Sequence, residues 1–362
     1  MTVGIDAERA NATRGTRRTT RRGGTRHGMG GSRAGGAPAP VRAPLLPAGR
    51  RGRFQPVRQD DENYLDGVYA DQALTTQLNG GDSTSPSSEP GLMLTMLEAL
   101  DVRPGHRVYE CGTGTCWNAA LLAHRLGDAN VTTVDVDPGL TAAAVERLAA
   151  AGYHPVVHTG DGAAGLPERG PFDRVIATCR MQAIPWEWVA QSVEDAVMVV
   201  PIGWGLARVV VRDGQAQGRF LPGGAYFMPR RTLAVGPRFD SLDDSPVTTT
   251  TVPIDDLMDR LQFPLSLALP GCDTCTWPDE KDGIHAVGLW TPDGSTATAD
   301  GTGHVRQLGP RRLWDTIEEL HALFPTAPDR DEFGITVTAE RLRIWWRSED
   351  GPGWDLPQVV FA

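Results

Sequence analysis

The run His106-Arg-Val-Tyr-Glu110-Cys-Gly112-Thr-Gly114-Thr-Cys-Trp117-Asn118 decides the fold of this 362-residue chain. A strand pattern ends at Glu110, two glycines follow, and a helical pattern runs from Trp117 to Leu126, where Gly127 stops it. Gly112 and Gly114 lack Cβ, so the backbone can bend sharply there and a ligand can approach it closely. The helix N-terminus adds free amide donors. Open α/β sheets bind nucleotides at such a loop, beyond the carboxyl end of a central strand. A dinucleotide fingerprint needs a third glycine for close helix–strand packing, but that position holds Trp117. A phosphate loop needs Gly-Lys-Ser/Thr, which is absent. An acidic strand end suits a cationic nucleoside better than a pyrophosphate.

Two further acids follow in order. Val131-Thr-Thr-Val-Asp135 reads as the next strand and ends in Asp135, 21 residues after Gly114. A carboxylate there can accept ribose hydroxyls. Gly160-Asp161-Gly162 follows the third strand and offers one acid to an adenine amino group. Singly, each has a plain reading: a Gly-x-Gly turn, a cap for the helix after Asp137-Pro138, an ordinary loop. Together, in order and at successive strand ends, they predict a nucleoside cradle.

Outward from the cradle, the pattern predicts strands at Arg107–Glu110, Val131–Val136, Pro155–His158, Arg174–Ala177 and Val197–Ile202. It predicts helices at Pro90–Leu100, Trp117–Leu126, Pro138–Ala151 and Pro185–Ser192. This alternation is that of an α/β, doubly wound parallel sheet. After about Arg212 the texture changes. Short β-like runs (Arg219–Leu221, Ala286–Trp290, Leu342–Trp346) mix with helical ones (Pro253–Leu261, Leu313–Leu323), predicting a C-terminal α+β unit. The expected organisation is an Arg/Gly-rich extension over 1–58, an α/β domain carrying the cradle over 59–211 and an α+β domain over 212–362.

Composition narrows the function classes. Residues 1–58 carry 13 arginines against Asp6 and Glu8 and few large apolar residues, so disorder is expected. The net charge is −10, which leaves the remainder of the chain at −21, an acidic body that argues against nucleic acid. No apolar run approaches the roughly 18 residues of a membrane span, and no apolar h-region marks a secretory signal. Five unevenly spaced cysteines fit reduced thiols, and a cytoplasmic location is the expectation.

Upstream of the glycine loop stand Ser88-Glu89-Pro90, Met93, Met96-Leu97-Glu98-Ala99-Leu100 and Val102-Arg103-Pro104-Gly105-His106-Arg107-Val108. Downstream stand Asn118-Ala-Ala-Leu-Leu-Ala, Pro171-Phe172-Asp173 and Ile184-Pro185. This series resembles the protein-L-isoaspartate O-methyltransferases over about residues 80–210. The resemblance implies a class I methyltransferase fold with S-adenosyl-L-methionine as cofactor. It places the cofactor site at Glu110, Gly112, Thr113, Gly114, Asp135, Asp161 and Gly162, with Asn118, Val136 and Gly160 beside them. It makes Ser88 the substrate-site serine, orienting a carboxylate; its other reading is an N-cap for the Pro-started helix. Two departures bear on pocket detail: Cys111 replaces a branched aliphatic, and Glu194-Asp195-Ala196 replaces a Pro-Gly-Gly turn.

Beyond the core, Gly224-Ala-Tyr-Phe-Met-Pro-Arg-Arg, Gly309-Pro-Arg-Arg-Leu-Trp314 and Ile344-Trp-Trp346 resemble the extension of a subgroup that modifies ribosomally made peptides. In lanthipeptide and graspetide pathways such enzymes methylate an aspartate, which then closes to an aspartimide. The implied partner is a modified precursor peptide containing the target Asp; the alternative is repair of isoaspartyl damage. A carboxylate nucleophile is already ionised near pH 7, so no catalytic His or Lys is expected. Cys272-Asp-Thr-Cys275 lacks a second pair, and no metal is expected. Trp186 and Trp188 read as groove or core. Arg230, Arg231, Arg311 and Arg312 read as contacts for an acidic peptide or as solvated surface.

Overall fold

The computed structural model describes residues 57–58, 60–62, 64–79, 82–229, 239–278 and 283–356. The extension expected to be disordered falls outside these apart from its last two residues, and Arg230 and Arg231 also fall outside.

A short helix α1 (Tyr64–Val68) precedes an antiparallel hairpin, β1 (Leu74–Asn79) and β2 (Asp82–Ser87). Then α2 (Pro90–Leu100) leads into the core alternation. It runs β3 (Val108–Cys111), α3 (Trp117–Leu126), β4 (Val131–Asp135), α4 (Pro138–Ala150), β5 (Val156–Thr159), β6 (Phe172–Ala177), α5 (Trp186–Ala190) and β7 (Ser192–Ile202). Pro90 and Pro138 sit in the first turns of α2 and α4, where a missing N–H costs nothing. Asp137 caps α4 by accepting from the amides of Gly139 and Leu140. The fifth helix is shorter than its apolar pattern predicts, because β7 already begins at Ser192.

β8 (Gly205–Arg212) and β9 (Gln215–Phe220) fold back antiparallel on β7. A second sheet follows, of β10 (Val247–Thr249), β11 (Asp273–Pro278), β12 (Ile284–Trp290), β13 (Thr296–Asp300) and β14 (His304–Leu308), flanked by α6 (Gln262–Ala268) and α7 (Leu313–Leu323). The helix predicted over Pro253–Leu261 is instead one 3-10 turn, Ile254–Leu257, with α6 starting at Gln262. Pro264 falls in the first turn of α6, where its missing N–H is tolerated.

β15 (Phe333–Val337), β16 (Leu342–Trp346) and β17 (Gly353–Leu356) then return to the first sheet. Its full order is β17-β16-β15-β9-β8-β7-β6-β3-β4-β5. The strands from β5 to β7 are parallel and the rest antiparallel. The parallel half, wound by helices around β3, is a class I methyltransferase fold, an α/β architecture of Rossmann type. One sheet therefore runs on both sides of residue 212, which lies in β8. A continuous apolar core, from Tyr109 and Trp188 through Phe220 and Phe263 to Phe324 and Phe333, ties the two chain halves together. The chain leaves β3 toward β4 and β5, then crosses back to β6 on its other side. That reversal opens a crevice at the carboxyl ends of β3, β4 and β6.

Candidate active site

The crevice is a cleft of about 1160 Å³, and every residue the sequence nominated lines it: Ser88, Glu110, Gly112, Thr113, Gly114, Asn118, Asp135, Val136, Gly160, Asp161 and Gly162. Ser83 to Ser87 of β2 line it too, as do Arg180, Gly271, Cys272 and Asp273.

The glycine loop is built by close approaches. The amides of Gly112 and Thr113 both donate to the Val134 carbonyl, at 2.8 and 3.3 Å, carrying the chain across the tip of β4. Gly112 has a φ of +105°, and a Cβ there would lie 2.5 Å from the Thr178 hydroxyl, which donates to the Gly112 carbonyl at 2.6 Å. The turn ends at Cys116, a non-glycine residue at φ +65° that precedes α3. That strained conformation is held by its amide donating to the Thr113 carbonyl at 2.7 Å.

Glu110 is fully buried, and burial pushes its carboxyl up to about 7. The Thr133 and Asn118 side chains favour the ionised form, and the charge of Asp135 opposes it. Asn118 Nδ2 donates to Glu110 Oε1 at 2.7 Å. Among the described residues, Glu110 Oε2 and Asn118 Oδ1 are buried acceptors with no donor. Two neighbouring orphaned acceptors on a cleft wall call for a cationic donor such as an α-ammonium group. Asp135 Oδ2 accepts from the Gly114 amide at 2.9 Å and Oδ1 from the Asp137 amide at 3.1 Å, which fixes the carboxylate at the tip of β4. Asp161 Oδ1 accepts from the Ala163 amide at 3.0 Å and starts a 3-10 turn. These features fit S-adenosyl-L-methionine: acceptors for the amino group at Glu110 and Asn118, a ribose acceptor at Asp135, an acid for the adenine at Asp161, and a cradle without Cβ atoms between them.

Ser88 does not cap α2. The cap position is Glu89, no side chain caps that end, and among the described residues the Ser88 hydroxyl has no partner. It stands in the cleft wall after β2.

The sequence reading missed several residues. Tyr109 and Trp188 both donate to the Gly162 carbonyl, at 2.7 and 2.9 Å, so Trp188 belongs to the core beneath the cleft. Thr178 clamps the glycine loop. The β1–β2 hairpin had a usable signal, the Asn79-Gly80 dipeptide between Thr- and Ser-rich runs. Arg311 and Arg312 pair with Asp293 and Asp315, at 2.7 and 3.5 Å. Among the described residues no three His, Cys, Asp or Glu side chains could hold a metal, and no helix is long and apolar enough to cross a membrane. Burial pushes the Cys272 thiol up to about 12, so it is no ready nucleophile.

The sequence pattern of Protein-L-isoaspartate(D-aspartate) O-methyltransferase matches residues 51–220. A protein-L-isoaspartate O-methyltransferase of Methylorubrum populi is 33% identical over 181 residues, which is 50% of this chain and 74% of that protein. One from Anaeromyxobacter dehalogenans is 38% identical over 149 residues, 40% of this chain and 67% of that protein. The chain belongs to the protein-L-isoaspartate O-methyltransferase family. Members of that family are O-methyltransferases that use S-adenosyl-L-methionine. The coverage is uneven: the chain spans about half, 52%, of a Xanthobacter autotrophicus relative that is 39% identical. A solved protein-L-isoaspartate O-methyltransferase overlays 80% of this chain and 90% of its own, with a TM-score of 0.49 and 19% identity. Residues beyond 220 lie outside the family match.

Proposed function

We propose that this family member esterifies an aspartate side chain in a ribosomally made, modified precursor peptide and so sets up closure to an aspartimide. The observation that carries the carboxyl methyltransferase reading is the convergence of Glu110, Asn118, Asp135, Asp161 and the unpartnered Ser88 hydroxyl on one cleft. The extension to a modified peptide is supported by the second sheet, whose strand β11 brings Asp273, with Cys272 just before it, to the same cleft.

S-adenosyl-L-methionine would supply an electrophilic methyl group for a carboxylate oxygen, with S-adenosylhomocysteine as the leaving group. The chain's own residues align and shelter. Glu110 and Asn118 would hold the amino end, Asp135 the ribose and Asp161 the base, while Ser88 would donate to the substrate carboxylate and turn one oxygen into line. No side chain has to move a proton, since the nucleophile enters ionised. The product ester is an activated acyl group. The following backbone nitrogen attacks it, the N–H proton leaves with methoxide as methanol, and a five-membered imide closes.

Repair of isoaspartyl sites in damaged proteins is the second reading, favoured by the names of the relatives. The two separate on one experiment: the enzyme is given S-adenosyl-L-methionine and either a generic isoaspartyl peptide or a precursor peptide encoded beside its gene. Loss of one water from the precursor supports maturation. Robust turnover of the generic peptide with the precursor untouched supports repair instead.

A further inference from the structure

Among the described residues lining the cleft, Glu110, Asp135, Asp161 and Asp273 are acids, and Arg180 is the single base. The acids repel an anionic substrate, and apart from the cationic cofactor the lining offers it one positive side chain among the described residues. Arg180 is placed to receive it. It follows β6 and the loop-clamping Thr178, and its amide donates to the Met228 carbonyl at 2.8 Å, so its backbone is fixed. Its side chain is only 14% exposed.

The guanidinium is weakly held. Its contact with Asp273 Oδ1 is 3.4 Å, against about 2.7–2.9 Å for a good charge-assisted bond. Its carbon lies 5.9 Å from the Tyr226 ring centroid, at the outer limit of a cation–π contact. Arg180 also borders a smaller pocket of about 90 Å³ walled by Trp204 and Tyr226. Five donors are available in a planar fork, and among the described residues one long bond uses them. Asp273, 46% exposed and at the start of β11, can swing to solvent and release the fork.

Resting on the carboxyl methyltransferase reading, we infer that Arg180 is the anchor for the substrate carboxylate, with Asp273 as the resident anion that the carboxylate displaces. The charge cycle then drives turnover. The anion exchanges Asp273 for itself on Arg180, methylation makes it a neutral ester, and Asp273 reclaims the fork as product leaves. Because the arginine binds the charged ground state and the developing ester carries less charge, it contributes to substrate capture more than to the chemical step. Arg180 is thus a positioning and specificity residue.

The test compares the full chain with R180M, R180K and D273N, using a synthetic isoaspartyl hexapeptide and calorimetric titration with S-adenosylhomocysteine. Expected for R180M is a KM raised at least about tenfold, kcat within about threefold, and unchanged S-adenosylhomocysteine affinity. R180K should fall between, and D273N should lower KM. An R180M KM within twofold of wild type overturns the inference. So does a fall in kcat with KM unchanged. If R180M does not fold, as judged by loss of S-adenosylhomocysteine binding, R180K and D273N decide: KM moving in opposite directions supports it, and no movement overturns it. If the wild type binds S-adenosylhomocysteine without turning the peptide over, binding of the peptide and of its asparagine analogue to that complex is compared. A carboxylate preference lost in R180M supports the anchor, and no preference in the wild type overturns it. A wild type that binds no S-adenosylhomocysteine sinks the methyltransferase reading itself.

Discussion

Tyr109 and Trp188, whose ring centroids are 6.0 Å apart in the core, both donate to the one carbonyl oxygen of Gly162. The carbonyl uses both its lone pairs on buried donors, so the loop carrying Asp161 is bolted to the sheet from below. Tyr109 lies on β3 and Trp188 on α5, so the bolt also ties the two elements that flank the cleft floor.

Removing one donor should loosen the loop without dismantling it. Y109F leaves the Trp188 bond and should cost about 1 kcal/mol of stability, with S-adenosylhomocysteine affinity down roughly threefold to tenfold. The Y109F/W188F pair leaves the carbonyl buried and unpaired and should cost more than the two singles together. Thermal melts and calorimetry read both effects, and additive losses would show that the shared acceptor is unimportant.

A side chain at position 162 has no room. A Cβ there would lie 2.4 Å from Cys111 Sγ, so G162A should be strongly destabilised or lose cofactor binding. Trimming the obstacle should rescue it: C111A/G162A should recover most of the melting temperature that G162A loses. Failure of that rescue would place the cost in the backbone and not in the clash.

Glu110 makes stability and binding pH-dependent. Its folded carboxyl is raised to about 7 from a reference of 4.5. The folded state therefore holds a proton that the unfolded state has released, and the ligand-free protein loses stability as pH rises from about 4.5 to 7. The full effect is on the order of 3 kcal/mol. E110Q should flatten that slope in denaturant titrations from pH 5 to 8. An ammonium ligand favours the carboxylate, so S-adenosylhomocysteine binding near pH 6.5 should release a proton. Calorimetry in buffers of different ionisation enthalpy detects it, and E110Q should abolish it.

S88A should separate chemistry from cofactor binding. With no structural partner among the described residues, the hydroxyl can be removed at little cost to folding, within about 0.5 kcal/mol. Methyl transfer should slow roughly tenfold or more while S-adenosylhomocysteine affinity stays unchanged. A drop in melting temperature with normal kcat would reassign Ser88 to structure.

The parallel half of the fold was legible in the sequence because its signals are local. The 3.6-residue period and the stop at Gly127 delimit α3, Pro138 after the Asp137 cap starts α4, and β3 must end where Gly112 turns. The acids could be read because each sits at the end of its own strand. Other features depended on partners distant in sequence. Nothing local in Tyr109, Trp188 or Thr178 announces that each reaches a loop carbonyl, and the Pro185–Ser192 pattern gave no sign that β7 would claim Ser192. Nor did the texture change after Arg212 reveal that β15, β16 and β17 rejoin the first sheet, since strand pairing joins residues more than a hundred positions apart.

By itself, then, the sequence determined the strand-and-helix alternation, the glycine turn and the acids at three strand tips, since backbone freedom, periodicity and charge are properties of neighbouring residues. Only the tertiary structure decided that those acids face one cleft, that Arg180 meets Asp273 across it, and that Glu110 is buried enough to hold its proton near neutrality. Desolvation and charge pairing depend on what the rest of the chain packs around a group, and close packing of distant segments is what folding alone supplies.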